Sequence, residues 1–351
     1  MTNFPVFDGH NDTLLSLHLG KKGQERTFFQ ESKFGHIDLP RARNGNFGGG
    51  FFAVYTPNEG YAIEPDNYLT DDGYDMPLPP KLEQKDALRF SMALAGKMFR
   101  IEGESGGDFK VVRTAGELKH CLENGIIAAV FHIEGAEAID TDFDALHVLH
   151  QAGLRSLGPV WSRPNVYGEG VPFRYPSSPD IGDGLSDAGK SLVRECNKLD
   201  IMVDTTHLNE KGFWDVAKIT DAPLVATHSN VHSICPISLN LTDKQLAAIA
   251  ESGGVIGINY AVNMLREDGM FGTDISLDII VKHVSYIAEK FGIAHVALGS
   301  DFDGTTIPDE MHDVTGLTKL VERLRAHGFN NHELRKITHG NWVRVLKDTW
   351  N

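Results

Sequence analysis

The sequence has few cysteines, and their spacing supports neither disulfides nor a metal site. Its 3 cysteines, Cys121, Cys196 and Cys235, are an odd number and contain no CxxC motif. This excludes a disulfide framework and a cysteine-based zinc site, and it is typical of a reducing compartment. The sequence also lacks an apolar run of about 18 residues, so it predicts no transmembrane helix. We therefore expect a cytoplasmic protein with no membrane partner.

Positive charge is scarce as well. The chain has 33 lysines and arginines against 48 aspartates and glutamates, which gives a formal net charge of -15 at pH 7. Nucleic acids and anionic membranes bind to basic faces, so the charge excludes both as partners. No GxGxxG motif follows the first predicted strand, which disfavours a dinucleotide-binding sheet. No short repeat is present either, which excludes solenoids and propellers.

Apolar runs typical of buried strands alternate with helical patterns along the whole chain. Eight strands are predicted, at residues 6–8, 50–55, 126–133, 154–160, 201–205, 224–227, 255–260 and 296–299. Strands that alternate with helices of ten or more residues indicate βαβ units and a parallel sheet. The sequence therefore predicts an α/β fold, a (β/α)₈ TIM barrel formed as a single domain by residues 1–351. A doubly wound open sheet is the alternative.

Two connections are too long to be simple turns. Residues 56–80 are rich in proline, glycine, aspartate and tyrosine, and residues 162–184 are rich in proline, glycine, serine and arginine. Loops longer than about 15 residues often form lids or binding loops. Both follow strands, so we expect them to form the walls of a substrate pocket at the C-terminal mouth of the barrel.

Histidine and acidic residues follow five of the apolar runs. His10 and Asp12 alternate in an extended segment, so both side chains can bind one ion. Glu134 ends a buried strand, and its two oxygens can bridge two ions. His207 and His228 end two further strands and complete a second ion. Two ions about 3.5–4 Å apart generate a bridging hydroxide at neutral pH and polarise a carbonyl group.

Asp301 follows the last predicted strand and is predicted to carry a proton from the attacking water to the leaving amine. His132 and Asp303 are predicted to orient the ligands rather than to bind an ion. For any one of these positions, a polar residue that ends a strand is the simpler interpretation. All of them in one pattern favour a metal-dependent hydrolase.

The same residues resemble the membrane (renal) dipeptidase family of zinc metallopeptidases over nearly the whole chain. The matching segments are residues 8–12, 48–52, 133–135, 184–189, 204–207, 228–230 and 299–304. The resemblance implies one zinc on His10, Asp12 and Glu134, and a second on Glu134, His207 and His228. It also implies that Asp301 is the catalytic aspartate. The family hydrolyses dipeptides, often with a D-residue in the second position, and some members open β-lactams. Such ligands also accept Mn²⁺ or Co²⁺.

The sequence departs from the family pattern at two positions that would contact substrate. Trp161 stands where many members have a histidine after the fourth strand. Leu239 or Ser238 stands where the family has an arginine for the C-terminal carboxylate of the substrate, and neither can pair with a carboxylate. Arg163, Arg174 or His232 could replace that arginine, since a guanidinium group forms a bidentate pair with a carboxylate.

We therefore predict a binuclear zinc dipeptidase that cleaves dipeptides, including L-Xaa-D-Xaa, with a metal-bridging hydroxide. The alternative is an amidohydrolase that acts on another small amide, such as an N-acyl amino acid or a lactam. A third hypothesis is a metal-stabilised binding protein without turnover, which the complete ligand set disfavours. A homodimer is the expected assembly, because it is the commonest one among soluble enzymes.

Overall fold

The computed structural model describes residues 4–20, 23–60 and 65–350. Residues 61–64 of the first predicted long loop, and the two ends of the predicted domain at 1–3 and 351, therefore lie outside the described residues. The strands are β1 Val6–Asn11, β2 Phe47–Tyr55, β3 Tyr74–Asp75, β4 Phe109–Val111, β5 Ile127–Glu134, β6 Leu154–Gly158, β7 Arg174–Tyr175, β8 Met202–Val203, β9 Val225–Ser229, β10 Val255–Ile258 and β11 Val296–Leu298.

The α-helices are α1 Thr13–Leu19, α2 Leu39–Asn44, α3 Gln84–Glu104, α4 Ala115–Asn124, α5 Asp144–Ala152, α6 Asp187–Lys198, α7 Glu210–Ile219, α8 Asp243–Glu251, α9 Val262–Leu265, α10 Asp278–Phe291, α11 Leu317–Ala326, α12 Asn331–Arg335 and α13 Asn341–Thr349. Several begin at capping side chains, as where Ser186 Oγ accepts the N–H of Gly189 at 3.0 Å. Within the described ranges no helix is long and apolar enough to cross a membrane.

The strands form two parallel sheets rather than one closed barrel. Five strands follow the order β1-β2-β5-β6-β8, with β4 attached to β5, and form a curled half-barrel; a second sheet has the order β11-β10-β9. The prediction of a closed (β/α)₈ barrel is therefore wrong, although the α/β class is confirmed. Between β8 and β9, and between β1 and β11, the ladders give way to isolated bridges, Asp204 to Val225 and Asn11 to Phe302.

Polar side chains explain why the ladders stop at these two seams. At one seam Asp8 Oδ1 accepts the backbone N–H of Ser300 at 2.6 Å. At the other, Asp204 Oδ1 accepts the backbone N–H of Thr227 at 2.9 Å. At each position a carboxylate accepts the N–H that a strand carbonyl would otherwise accept.

A few backbone bonds remain beside these carboxylates, such as Asp12 N–H to the Phe302 carbonyl and Thr205 N–H to the Val225 carbonyl, both at 2.8 Å. Apolar periodicity locates strands but carries no information about which groups accept their backbone hydrogen bonds. The sequence pattern therefore did not predict that the ladders stop at these seams.

The last helix packs against buried apolar side chains of several strands. Phe7, Phe51, Val225 and Val255 belong to a buried apolar cluster with Trp342 of α13. The Trp342 indole N–H donates to the Leu298 carbonyl at 3.1 Å. A larger cluster fills the space between the sheets and the surrounding helices. The opposite ends of the strands are left to the polar residues.

The two long loops meet each other over those polar ends. β3, from the first loop, pairs antiparallel with β7, from the second, through Tyr74–Tyr175 and Asp75–Arg174. Beneath this small sheet lies a separate buried cluster that includes Tyr74, Val171 and Leu239. The strands at β3, β4 and β7 are only two or three residues long, and the sequence pattern did not predict them.

His283 of α10 links two segments near this mouth and should make stability depend on pH. Its Nδ1 accepts the N–H of Val231 at 3.1 Å, and its Nε2 lies 3.0 Å from the Leu265 carbonyl. Because Nδ1 accepts, the folded imidazole is neutral. Burial lowers the pKa of His283 from 6.5 to about 4.

We expect His283 to destabilise the fold as pH falls below 6.5, since only the unfolded chain then takes up the proton. From about pH 7.5 to about pH 5 the free energy of unfolding of the wild type should fall by about 2 kcal/mol more than that of His283→Gln. Urea titrations of both proteins at the two pH values measure this difference. Equal losses would show that His283 does not titrate in this range.

Candidate metal centre

The structure brings together the six residues predicted to form the metal site. The five predicted ligands fall into two groups that share Glu134: one adds His10 and Asp12, and the other adds His207 and His228. His10 and His228 also form a group with Asp301, and within each group the candidate ligand atoms lie within 4.8 Å of one another. β1, β5 and β9 carry three of these residues, and the loops after β8 and β11 carry His207 and Asp301.

The two oxygens of Glu134 face different groups. Oε2 lies 3.6 Å from His10 Nε2, which is itself 3.4 Å from Asp12 Oδ2. Oε1 lies 3.1 Å from His207 Nε2 and 3.6 Å from His228 Nε2. A carboxylate placed between two sets of ligand atoms in this way can bridge two cations.

Unpartnered buried atoms show that the site suits a cation. Both ring nitrogens of His10 and Oδ1 of Asp12 are buried and accept or donate no hydrogen bond within the described part of the chain. Buried polar atoms in folded proteins nearly always have a partner, so such a cluster points to a bound ion. Imidazole nitrogens and carboxylate oxygens are ligands that zinc accepts.

The electrostatics of the site lead to the same conclusion. Burial, together with the charges of Asp12 and Glu134, raises the pKa of Asp301 to about 8 against the opposing attraction of His10. Burial lowers the pKa of His228 to about 3. For His10, burial lowers the pKa, but Glu134 and Asp12 outweigh it and raise the pKa to about 10. Three carboxylates this close need positive charge, which cations would supply.

The backbone is strained at three of the positions that aim side chains into the site. His207, Asp301 and Asp303 have φ values of 66°, 59° and 68°, in the left-handed region that non-glycine residues rarely adopt. Such strain concentrates at functional sites, where the surrounding structure holds it in place. The Asp301 N–H donates to the His10 carbonyl at 2.9 Å, so the turn is bonded to the end of β1.

Asp303 and His132 lie beside the ligand groups. Asp303 Oδ2 pairs with Arg26 at 2.9 Å, and its Oδ1 accepts the N–H of His36 at 2.7 Å. The ring of His132 lies 5.6 Å from that of His10, and its Nδ1 lies 2.8 Å from Ser156 Oγ. Burial lowers the pKa of His132 to about 4, so this imidazole is neutral.

Of the four predicted substrate contacts, only Trp161 lines the pocket over the metal ligands. Arg163 is fully buried and binds Glu137 at 2.9 Å. Arg174 pairs with Asp75 at 2.7 Å in the small sheet above the pocket. His232 Nε2 lies 2.8 Å from the carbonyl of Ser177. The structure therefore does not bring the three candidate cations into the pocket wall.

Apolar side chains and neutral amides form that wall. Tyr55, Trp161, Phe173, Leu239 and Met264 line the pocket, together with Asn58, Asn259 and Asn263. Leu239 faces the pocket, so the departure from the family pattern at this position changes the chemistry of the pocket. Within the ranges that the structure describes, no lysine or arginine lines it.

Sequence analysis did not identify Asn259 as a site residue. Its Nδ2 donates to Asp301 Oδ2 at 3.0 Å and fixes the orientation of that carboxylate. Asn259 follows β10, so the rule that polar residues at strand ends gather at the mouth could have found it. An asparagine ends many loops, however, and the sequence offers no second signal.

Gly304 should be essential to the site but not to the fold. A Cβ atom at this position would lie 2.2 Å from Asp12 Oδ2 and 2.5 Å from Asp301 Oδ1, so both carboxylates would have to move. We expect Gly304→Ala to lower kcat/KM by about 10²-fold, because small displacements of reacting groups are this costly. Gly103→Ala is the control, since its Cβ would meet open space. Unchanged kcat/KM in Gly304→Ala would contradict the geometry.

Comparisons with known proteins identify a family and similar solved structures. The model of the family "Membrane dipeptidase (Peptidase family M19)" matches residues 1–351. A metallopeptidase from Rhodobacter sphaeroides, solved with a phosphinate mimic of the dipeptide L-Ala-D-Ala, is 48% identical with a TM-score of 0.96, covering 99% of this chain and 100% of that chain. Dipeptidase AC, a metallopeptidase of family M19, is 48% identical with a TM-score of 0.93, covering 99% of each chain.

An uncharacterized protein in the pqqA 5′ region of Klebsiella pneumoniae is 46% identical over 251 residues, which cover 72% of this chain and 93% of that protein. The match to the family model extends over the whole sequence. This chain therefore belongs to the membrane dipeptidase family, peptidase family M19, and is a metal-dependent dipeptidase.

Proposed function

We propose that the protein is a binuclear zinc dipeptidase that cleaves dipeptides of the L-Xaa-D-Xaa type. The observation that carries this proposal is the placement of Glu134, whose two oxygens face two separate sets of ligand atoms. The substrate class is supported by the Rhodobacter sphaeroides metallopeptidase, which binds a mimic of L-Ala-D-Ala.

His10, Asp12 and Glu134 would hold one ion, and Glu134, His207 and His228 the other. When bound, such ions lower the pKa of a water and polarise the carbonyl of the scissile amide. Zinc suits this mixture of imidazoles and carboxylates, and Mn²⁺ or Co²⁺ are the alternatives that the same ligands accept.

Asp301 carries the proton in the proposed reaction. Its Oδ2 accepts the hydrogen bond from Asn259. Its Oδ1 accepts none from any described residue and is the atom that takes a proton from the attacking water. Asp301 then transfers this proton to the leaving amine nitrogen, as a general base that becomes a general acid. Trp161, Phe173 and Leu239 present apolar surface to this side of the pocket.

A second candidate is hydrolysis of a small amide whose leaving part has no carboxylate. The observation that favours it is the pocket wall, where Leu239 and the amides of Asn58 and Asn263 stand and no described arginine or lysine does. A buried carboxylate without a charged partner is costly, so a neutral group that hydrogen-bonds to these amides would fit this wall better.

Amine release from matched substrates tests the two candidates. The zinc-loaded enzyme is assayed with L-Ala-D-Ala, L-Ala-L-Ala and the C-terminal amide of L-Ala-D-Ala. We expect the highest kcat/KM for L-Ala-D-Ala. A higher kcat/KM for the amide would favour the second candidate, and no hydrolysis of any of the three would overturn the dipeptidase proposal.

Replacing Asp301 should stop proton transfer without removing the metal. In Asp301→Asn the side chain keeps its size but cannot take up a proton. We expect kcat to fall by about 10²–10⁴-fold, the range that general acid–base catalysis contributes. Zinc content, measured by elemental analysis, should stay unchanged. Asp309→Asn, which alters an exposed aspartate, is the control. Full activity in Asp301→Asn would assign the proton to another group.

A further inference from the structure

Asp204 is a buried carboxylate that is not among the metal-ligand groups but touches the residue behind one of them. Its Oδ1 accepts hydrogen bonds from the N–H and hydroxyl of Thr206, at 3.1 and 2.8 Å, and from the N–H of Thr227 at 2.9 Å. Its Oδ2 accepts the hydroxyl of Thr227 at 2.6 Å. His132 Nε2 also faces Oδ2, at 3.7 Å, which is beyond hydrogen-bond distance.

The Thr227 hydroxyl connects Asp204 to a ligand imidazole. Thr227 Oγ1 lies 2.8 Å from His228 Nδ1 as well as 2.6 Å from Asp204 Oδ2. A hydroxyl has one proton, and an ionised carboxylate can only accept. Hydrogen bonds donated by Thr206 and Thr227 to both oxygens stabilise the ionised form of Asp204. The Thr227 proton therefore goes to Asp204, and His228 Nδ1 must donate to Thr227.

This chain of hydrogen bonds decides which nitrogen of His228 has a free lone pair. With the proton on Nδ1, the lone pair is on Nε2, the atom that lies 3.6 Å from Glu134 Oε1 and 3.3 Å from His207 Nε2. Partners behind a ligating histidine commonly fix its tautomer and ring orientation.

The other two histidines are held differently. His207 Nδ1 lies 2.9 Å from the hydroxyl of Ser162, which is in the second long loop. His10 has no hydrogen-bond partner on either nitrogen among the described residues. Of these three ligand histidines, His228 alone is connected within the described residues to a buried carboxylate through an intervening hydroxyl.

We propose that Thr227 and Asp204 are positioning residues that hold His228 as the Nδ1-protonated tautomer and so set the affinity of the ion bound by Glu134, His207 and His228. This inference rests on the proposed metal site but not on the proposed substrate. It also gives a role to the segment Asp204–His207, whose aspartate binds no ion in the proposed site.

Thr227→Val tests the proposal because it removes the hydroxyl, keeps the shape, and leaves the backbone bond from Thr227 to Asp204 in place. Thr227→Ser restores a hydroxyl. Thr205→Val is the matched control: Thr205 is buried on the opposite side of the same seam, and its hydroxyl donates to the Val225 carbonyl at 2.7 Å without touching a predicted ligand. Zinc affinity is measured for all four proteins by competition with a chromophoric chelator, and the melting temperature of each metal-free protein separately.

We expect Thr227→Val to bind one of its two zinc equivalents about 10–100-fold more weakly than wild type, the usual effect of losing a partner behind a ligand. Thr227→Ser should recover most of that affinity. Thr205→Val should keep wild-type affinity even if it melts at a lower temperature.

Equal zinc affinity in Thr227→Val and Thr205→Val would overturn the proposal, as would a failure of Thr227→Ser to recover affinity. Hydrolysis is not part of this measurement. A protein that shows the expected affinities but cleaves no dipeptide would refute the proposed substrate and leave the positioning role in place.

Discussion

Two buried carboxylates supplement the few backbone hydrogen bonds that join the sheets, and the site depends on both. Asp8 accepts the N–H and hydroxyl of Ser300 at 2.6 and 2.8 Å across the seam between β1 and β11. Asp204 does the same for Thr227 across the seam between β8 and β9. The first seam sets the separation of His10 from Asp301, and the second sets that of His207 from His228. A buried carboxylate is stable only when it accepts such hydrogen bonds. The same bonds therefore fix the register of the neighbouring strands and stabilise the buried charge.

The crowding of acidic groups at the mouth gives the site its chemistry. Burial and the neighbouring carboxylates raise the pKa values of Asp12 and Asp301, whereas at Glu134 the effect of burial is outweighed by His10, His207 and His228, which lower the pKa. All three carboxylates attract a cation that is bound at the mouth. Asp301 retains the environment of a proton acceptor, because burial disfavours its charged form. Asp12 and Asp301 are the same residue type. Their different positions make Asp12 a proposed metal ligand and Asp301 the proposed proton carrier.

The loops over the mouth determine what the site can bind. The pairing of β3 with β7 joins the two long loops, and the residues below it present apolar surface to the pocket. Arg163 contributes from behind this wall: it binds Glu137 and Asn58 and lies 5.5 Å from the Tyr55 ring centre and 5.6 Å from that of Trp161. A guanidinium in this setting supports the wall and is not available to substrate.

The sequence alone determined the α/β class, the places of the main strands and the identity of the residues that meet at the mouth. Apolar periodicity and the residue type that follows each run are local properties, so they can be read from the chain. Tertiary structure decided that the sheets stay separate, because Asp8 and Asp204 take backbone donors from residues distant in sequence. It also decided that Arg163, Arg174 and His232 have partners elsewhere, since ion pairs such as Arg163–Glu137 depend on loop packing that no local pattern encodes.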